Sequence, residues 1–270
     1  MRDNQSDKGT GGVGLLSKAF QVLDQFSRDQ PLWTQAELGE ATGVSKSTIN
    51  RLVRYFHAKG YLIQAERKGP YRLGPAAIDL GLRASAQLDI GTVAMPLLER
   101  LVQETQETAL LASHLAGRRE VVCVAQIPSP QEGLRVFQSV GSSIPLHAGA
   151  VAKAVLAYLP ADLQTAIVDS ELEQLTTETI TDPAVLIHDL NDIRARGYAI
   201  SRDETYAGVY GIGAPVFGPD NEVIAGIAIA APKARMESAE ILDHAQKVMA
   251  VAAALSTRFG AIDTNGGLAA

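Results

Sequence analysis

Lys46, Ser47, Asn50, Arg51 and Arg54 recur at spacings that one face of a helix collects, and each offers a hydrogen-bond donor or a positive charge. No acid interrupts them. Such a face suits an electronegative DNA groove, where arginine reads guanine edges and asparagine reads adenine edges. Thr48 adds a hydroxyl, and Ser45 just ahead is a residue type that caps helix starts. On the opposite face Ile49, Leu52, Val53 and Phe56 fall at i, i+3, i+4 and i+7, an apolar stripe that fixes which side points outward.

The elements that must hold this helix lie on either side of it. Thr34 followed by Glu37 predicts a capping box and a short helix ending near Ala41 or Thr42. Gly43 supplies the positive φ of the exit, and Gly39 is small where the second helix crosses the first. Together these predict a helix-turn-helix. A solvated basic face on an ordinary helical hairpin would have the same composition, but the next residues favour the DNA reading. Tyr61 to Gln64 and Tyr71 to Leu73 pair as strands about a turn at Arg67, Lys68, Gly69 and Pro70, which makes a wing with two cations at its tip. Ser45, Lys46, Ser47, Thr48, Asn50, Arg51, Arg54, Arg67, Lys68 and Arg72 are the expected DNA contacts.

The charge distribution agrees with that placement. The net charge of −6 is an average: residues 1–75 hold 11 Lys and Arg against 7 Asp and Glu, and the remainder holds 13 against 23. Cations are thus concentrated on one small module. With 270 residues, 46% of them hydrophobic, the chain can bury two cores. No apolar run reaches the roughly 18 to 20 residues of a membrane span. The opening MRDNQSDKGTGG has no apolar segment to serve as a secretory signal, so a cytoplasmic location is expected. The lone Cys123, within VVCVA, reads as a buried thiol.

In chain order, residues 1–12 read as a disordered tail and Val13 to Phe26 as the first helix of a winged module spanning 13–75. Residues 76–88 read as a connecting helix. Residues 89–260 form the second domain, ahead of a tail at 261–270. There the pattern predicts a helix at 92–104, a hairpin of 109–115 with 120–126, and a strand at 134–140. After irregular chain at 141–148 come a small-residue helix at 149–158, a helix opened by Asp182-Pro183 and closed by Gly197, strands at 210–217 and 223–230, and a closing helix at 238–259. Helices packed on an antiparallel sheet make this an α+β domain.

With these elements placed, the chain resembles the IclR family of bacterial transcriptional regulators over nearly its whole length. The marks are YRLGP at 71–75, PLHAGAVAKAVLAYLP at 145–160, GYAISRDETYAGVYGIGAPVF at 197–217 and VIAGIAIAAP at 223–232. The resemblance implies a DNA-binding domain, a linker helix and a GAF-like effector domain, in a dimer or dimer of dimers on a double-stranded operator. It implies an effector pocket at Gly149, Ala150 and Val151, at Ser201 and Asp203, at Val209 and Gly211, and at Ala228 and Ala230. Ala228 and Ala230 match pocket-facing serines of some acid-sensing members, and Ala152 departs from the usual Gly-Lys-Ala. Methyls in place of hydroxyls favour an aromatic or otherwise hydrophobic acid over a small keto acid. Independently, the almost bare helix start at Gly149 to Ala152 could offer N–H groups to a carboxylate, although small residues there could equally serve close packing.

Catalysis has little support. His114, His147, His188 and His244 are scattered without metal-ligand spacing, and only His147, ahead of the Gly149 helix, is retained as a pocket residue. There is no nucleophile elbow, phosphate loop or dinucleotide fingerprint, so neither cofactor nor metal is expected. The competing reading is a metabolic enzyme or sensor whose amino-terminal module binds protein. The favoured reading is a DNA-binding regulator, with a repressor released by its ligand as the expected mode.

Overall fold

A computed structural model of the chain describes residues 10–27, 30–65, 69–87, 90–114, 118–132, 136, 138–236 and 240–260. These fall into two compact units, 1–88 and 89–270.

In the first unit α1 (Thr10–Asp24), α2 (Gln35–Thr42) and α3 (Lys46–Ala58) precede a hairpin of β1 (Leu62–Gln64) and β2 (Tyr71–Leu73), and α4 (Pro75–Gln87) follows. Residues 10–12, expected in the disordered tail, are helical. Their glycines cost little at a first turn whose N–H groups lack intrahelical partners. The capping box forms as the spacing requires. Thr34 Oγ1 accepts from the Glu37 N–H at 3.3 Å, and Glu37 Oε2 accepts from the Thr34 N–H at 2.7 Å. Gly43 takes φ +66°. Val22, Phe26, Leu38, Val44, Ile49, Leu52, Val53, Phe56 and Leu62 make the core. Gly39 is not the tight crossing expected: a Cβ there would lie 3.5 Å from Val44 O, ordinary contact. The obligatory glycine is Gly74, where a Cβ would fall 2.3 Å from Gly60 O as the chain leaves the wing.

The second unit opens with α5 (Ile90–Thr105) and hairpin strands β3 (Thr108–His114) and β4 (Glu120–Ile127). Next come β5 (Ser143–Pro145), α6 (Ala150–Leu156), α7 (Ala161–Val168), α8 (Pro183–Arg196) and β6 (Ala199–Arg202). Then β7 (Val209–Phe217), β8 (Val223–Pro232) and α9 (Glu240–Arg258) follow. The six strands are antiparallel in the order β5-β4-β3-β8-β7-β6.

Period-two alternation sorts β8 between two cores: Ala225, Ile227, Ile229 and Ala231 join α5 and α9, while Ala228 and Ala230 join α6, α7 and α8. Two expectations fail here. The strand placed at 134–140 is absent at its described residues 136 and 138–140, and the edge strand is instead Ser143–Pro145, inside the stretch read as irregular. Strand β6 was not anticipated either. Both edge strands are too short to show alternation.

Candidate functional site

Two places bring chemistry-bearing side chains together. On α3 the residues Lys46, Ser47, Asn50, Arg51 and Arg54 are exposed along one open groove, while Ile49, Leu52, Val53 and Phe56 are buried beneath. Lys46, Arg51 and Arg54 form no ion pair among the described residues. Their charge is therefore available to a partner. Ser45 occupies the cap position without bonding a backbone N–H; its Oγ donates to Thr48 Oγ1 at 3.1 Å, which turns half-buried Thr48 toward the helix start. Arg72 is exposed on β2; Arg67 and Lys68 lie outside the described residues.

The second place is a cavity of about 50 Å³ between α6 and the sheet. Gly149, Ala150, Val151, Ser201, Val209, Gly211, Ala228 and Ala230 all line it. Glycines allow α6 to lie this close: a Cβ on Gly213 would sit 2.7 Å from Ala150 O, and one on Gly226 would sit 2.8 Å from Val151 O. Behind the cavity Lys153, 1% exposed, donates to Glu204 Oε1 at 2.6 Å, to Asp189 Oδ2 at 2.6 Å and to Ile200 O at 3.1 Å. Glu204 Oε2 accepts the Gly149 N–H at 3.1 Å. Burial pushes the Glu204 carboxyl above its ordinary range, against the opposing pull of Lys153 and of that N–H.

The family models for the IclR helix-turn-helix domain and the bacterial transcriptional regulator IclR C-terminal domain match residues 15–66 and 82–257. The HTH-type transcriptional regulator Rv1719 of Mycobacterium tuberculosis is 33% identical over 89% of this chain and 90% of its own. The chain belongs to the IclR family of bacterial transcriptional regulators. The crystal structure of an IclR regulator from Silicibacter superposes with a TM-score of 0.86 at 27% identity, covering 92% of this chain and 97% of that one. An IclR homolog from Microbacterium hydrocarbonoxydans, complexed with 4-hydroxybenzoate, shares the fold at a TM-score of 0.73 and 24% identity, covering 91% and 98%.

Within this IclR-family fold two expected pocket residues stand apart from the cavity. His147 Nε2 donates to Glu173 O at 2.9 Å, and the ring lines a separate surface pocket with Arg119 and Ser170. Gly149 has φ +85°, and the chain reverses there, so sequence neighbours part. Asp203, at φ +60°, faces outward, accepting the Gly208 N–H at 2.6 Å and pairing with Lys233 at 3.3 Å. It lies in the turn that follows β6. The helix start is not a bare anion seat, because Glu204 already takes the Gly149 N–H.

Residues that the sequence did not single out complete both places. Tyr55 joins the α3 groove, 60% exposed, with the Lys59 Nζ 5.9 Å from its ring centroid. It is i+4 from Arg51, so the helical spacing was the missed signal. Leu110, Val136, Gln138, Ile144, Thr205, Tyr206 and Ile229 complete the cavity, several of them from loops without periodicity.

Proposed function

We propose that this regulator is a cytoplasmic repressor that grips an inverted-repeat operator as a dimer or dimer of dimers and releases it on taking up a small hydrophobic or aromatic acid. The observation that carries the DNA half is the acid-free face of α3, whose cations lack ion-pair partners among the described residues. Lys46, Ser47, Asn50 and Arg51 read base edges in the major groove; Arg54, Arg72 and the wing-tip Arg67 and Lys68 meet phosphates. One such helix spans too few base pairs for a unique address, which calls for two half-sites.

For the effector half, support comes from the methyl floor of Ala228 and Ala230 and from a lining that, among the described residues, has no Lys, Arg, Asp or Glu. Engineered cavities that hold benzene are about 150 Å³. An aromatic ligand therefore enters as Thr205 and Tyr206 move outward; Tyr206 is 55% exposed. The ligand releases DNA to the extent that it binds the DNA-incompetent arrangement more tightly, and the 76–88 helix is the proposed relay.

Selection of genomic fragments by the full chain, followed by footprinting, tests the DNA half: a protected inverted repeat is expected, and indifference among fragments overturns it. Calorimetry tests the effector half. Binding of benzoate or 4-hydroxybenzoate is expected, and tight binding of pyruvate or glyoxylate alone overturns the ligand class.

A further inference from the structure

The cavity's polar groups are sorted to its two ends. Cross-strand register places Thr108, Ala230, Gly211 and Ser201 in one row across β3, β8, β7 and β6. Three strand spacings span that row, on the order of 14 Å. Its middle is Ala230 and Gly211, with Ala228 and Leu110 in the adjacent row, so it presents methyl and backbone surface. Beyond the Thr108 end hangs the loop carrying Val136 and Gln138, tied down by Thr108 Oγ1 donating to Val136 O at 2.8 Å and by the Gln138 N–H donating to Gln126 Oε1.

The Gln138 amide has one determined orientation. Ser142 Oγ spends its proton on Ser139 O at 2.6 Å, so it can only accept from Gln138, which fixes Nε2 as the atom facing Ser142. That leaves Oε1 with no protein donor among the described residues, on a side chain only 7% exposed that lines the cavity. This oxygen keeps some accessible surface, since His244 Nδ1 is the one fully buried side-chain polar atom without a partner among the described residues, and a ligand hydroxyl entering the cavity can take the place of its solvent. At the far end stand three hydroxyls, on Ser201, Thr205 and Tyr206. The Ser201 hydroxyl, on a residue 3% exposed, makes no hydrogen bond among the described residues. Hydroxyls can donate to a carboxylate; a lone amide oxygen cannot.

We infer that the cavity is bipolar and selects a planar acid carrying a hydroxyl opposite its carboxylate, with the hydroxyl donating to Gln138 Oε1 and the carboxylate held by Ser201, Thr205 and Tyr206. This rests on the effector reading above and adds to it a direction and a chemical requirement. Gln138 is then the specificity-determining residue, because a site built around a hydrogen bond rejects the analogue lacking it.

The test is calorimetry on the full chain with 4-hydroxybenzoate and benzoate, in the natural sequence and in Gln138→Ala and Ser201→Ala. The expected result is at least tenfold tighter binding of 4-hydroxybenzoate, a preference that falls below threefold in Gln138→Ala while benzoate affinity holds. Benzoate also reports whether that variant folds. Ser201→Ala should weaken both ligands by a similar factor and keep the preference. Equal affinities in the natural sequence, or a preference that survives Gln138→Ala, overturn the bipolar assignment alone. Failure of both compounds to bind overturns the effector reading and this inference with it.

Discussion

Lys153 Nζ lies 2.6 Å from Glu204 Oε1 although the two residues are 51 positions apart and nearly sealed from solvent, at 1% and 7% side-chain exposure. This contact joins α6 to the turn that carries Thr205 and Tyr206 into the cavity wall. Thr179 Oγ1 donates to Glu204 O at 2.7 Å and Thr176 Oγ1 donates to Asp203 O at 2.6 Å, so the base of the turn is held from a second side. Replacing Lys153 by Met leaves a buried carboxylate with only the Gly149 N–H. Breaking one side of such a pair costs about 3–5 kcal/mol. Denaturant unfolding should show that loss, and amide exchange should quicken most at 203–208. Uniform quickening throughout the second unit would mean that the pair serves general stability and no particular wall.

Glu204 also predicts a pH dependence whose sign is opposite to that of an ordinary paired carboxylate. Its folded pKa is raised above the ordinary value of 4.5, chiefly by burial. The folded chain therefore binds this proton more tightly than the unfolded chain does. Its contribution to stability is fully present below 4.5 and is lost as pH rises through the raised folded value. Unfolding free energies measured upward from pH 4.5 should carry this falling component in the natural protein, and Glu204→Gln should lack it. Parallel curves for the two proteins would contradict the burial argument.

The parts legible in the sequence were those set by local spacing. The capping box, the exit at Gly43 and the buried stripe of α3 follow from contacts three to seven residues apart. Ala228 and Ala230 came from the family resemblance, and their shared face of β8 follows from its alternation. What escaped was long-range: Lys153 meets Asp189 and Glu204 across 36 and 51 residues, and nothing in AVAKAVL marks the lysine as buried. His147 was misplaced because adjacency to Gly149 stood in for proximity to the cavity, and a single left-handed residue undid that. Gln138 lies in a loop whose hydrogen bonds, not its periodicity, give it a role.

On the DNA side, Arg51 and Arg72 should behave differently. Arg51 projects from the middle of the α3 groove, whereas Arg72 is exposed on the wing strand. Arg51→Ala is expected to cost about 1–3 kcal/mol on the operator and to relax preference at one base position. Arg72→Ala should weaken all sequences alike and reduce the slope of log affinity against log salt by about 1. Binding titrations on operator and scrambled duplexes at several salt concentrations check both. Identical losses on every duplex for the two variants would remove the distinction between base reading and phosphate contact.

The closeness of α6 to the sheet gives a prediction about cavity shape that needs no ligand. A Cβ on Gly213 would meet Ala150 O at 2.7 Å, Ala150 C at 2.8 Å and Val151 N at 2.9 Å, all of them backbone that no rotamer change can move aside. Gly213→Ala must therefore push the first turn of α6 off β7. Overpacking of this kind costs about 1–3 kcal/mol. The same shift drags Gly149 away from Glu204 Oε2 and lifts Ala150 and Val151 off the cavity floor. Gly211→Ala is the contrast, since its Cβ would meet the Ala150 methyl at 3.2 Å, Ile229 O at 3.5 Å and Ser201 Cβ at 3.9 Å, none of them under 3.0 Å. Thermal unfolding should rank Gly213→Ala well below Gly211→Ala. Amide exchange at Gly149 should rise in the first variant and hold in the second. If Gly211→Ala proved the more damaging, the cavity floor and not the helix seat would be the constrained surface.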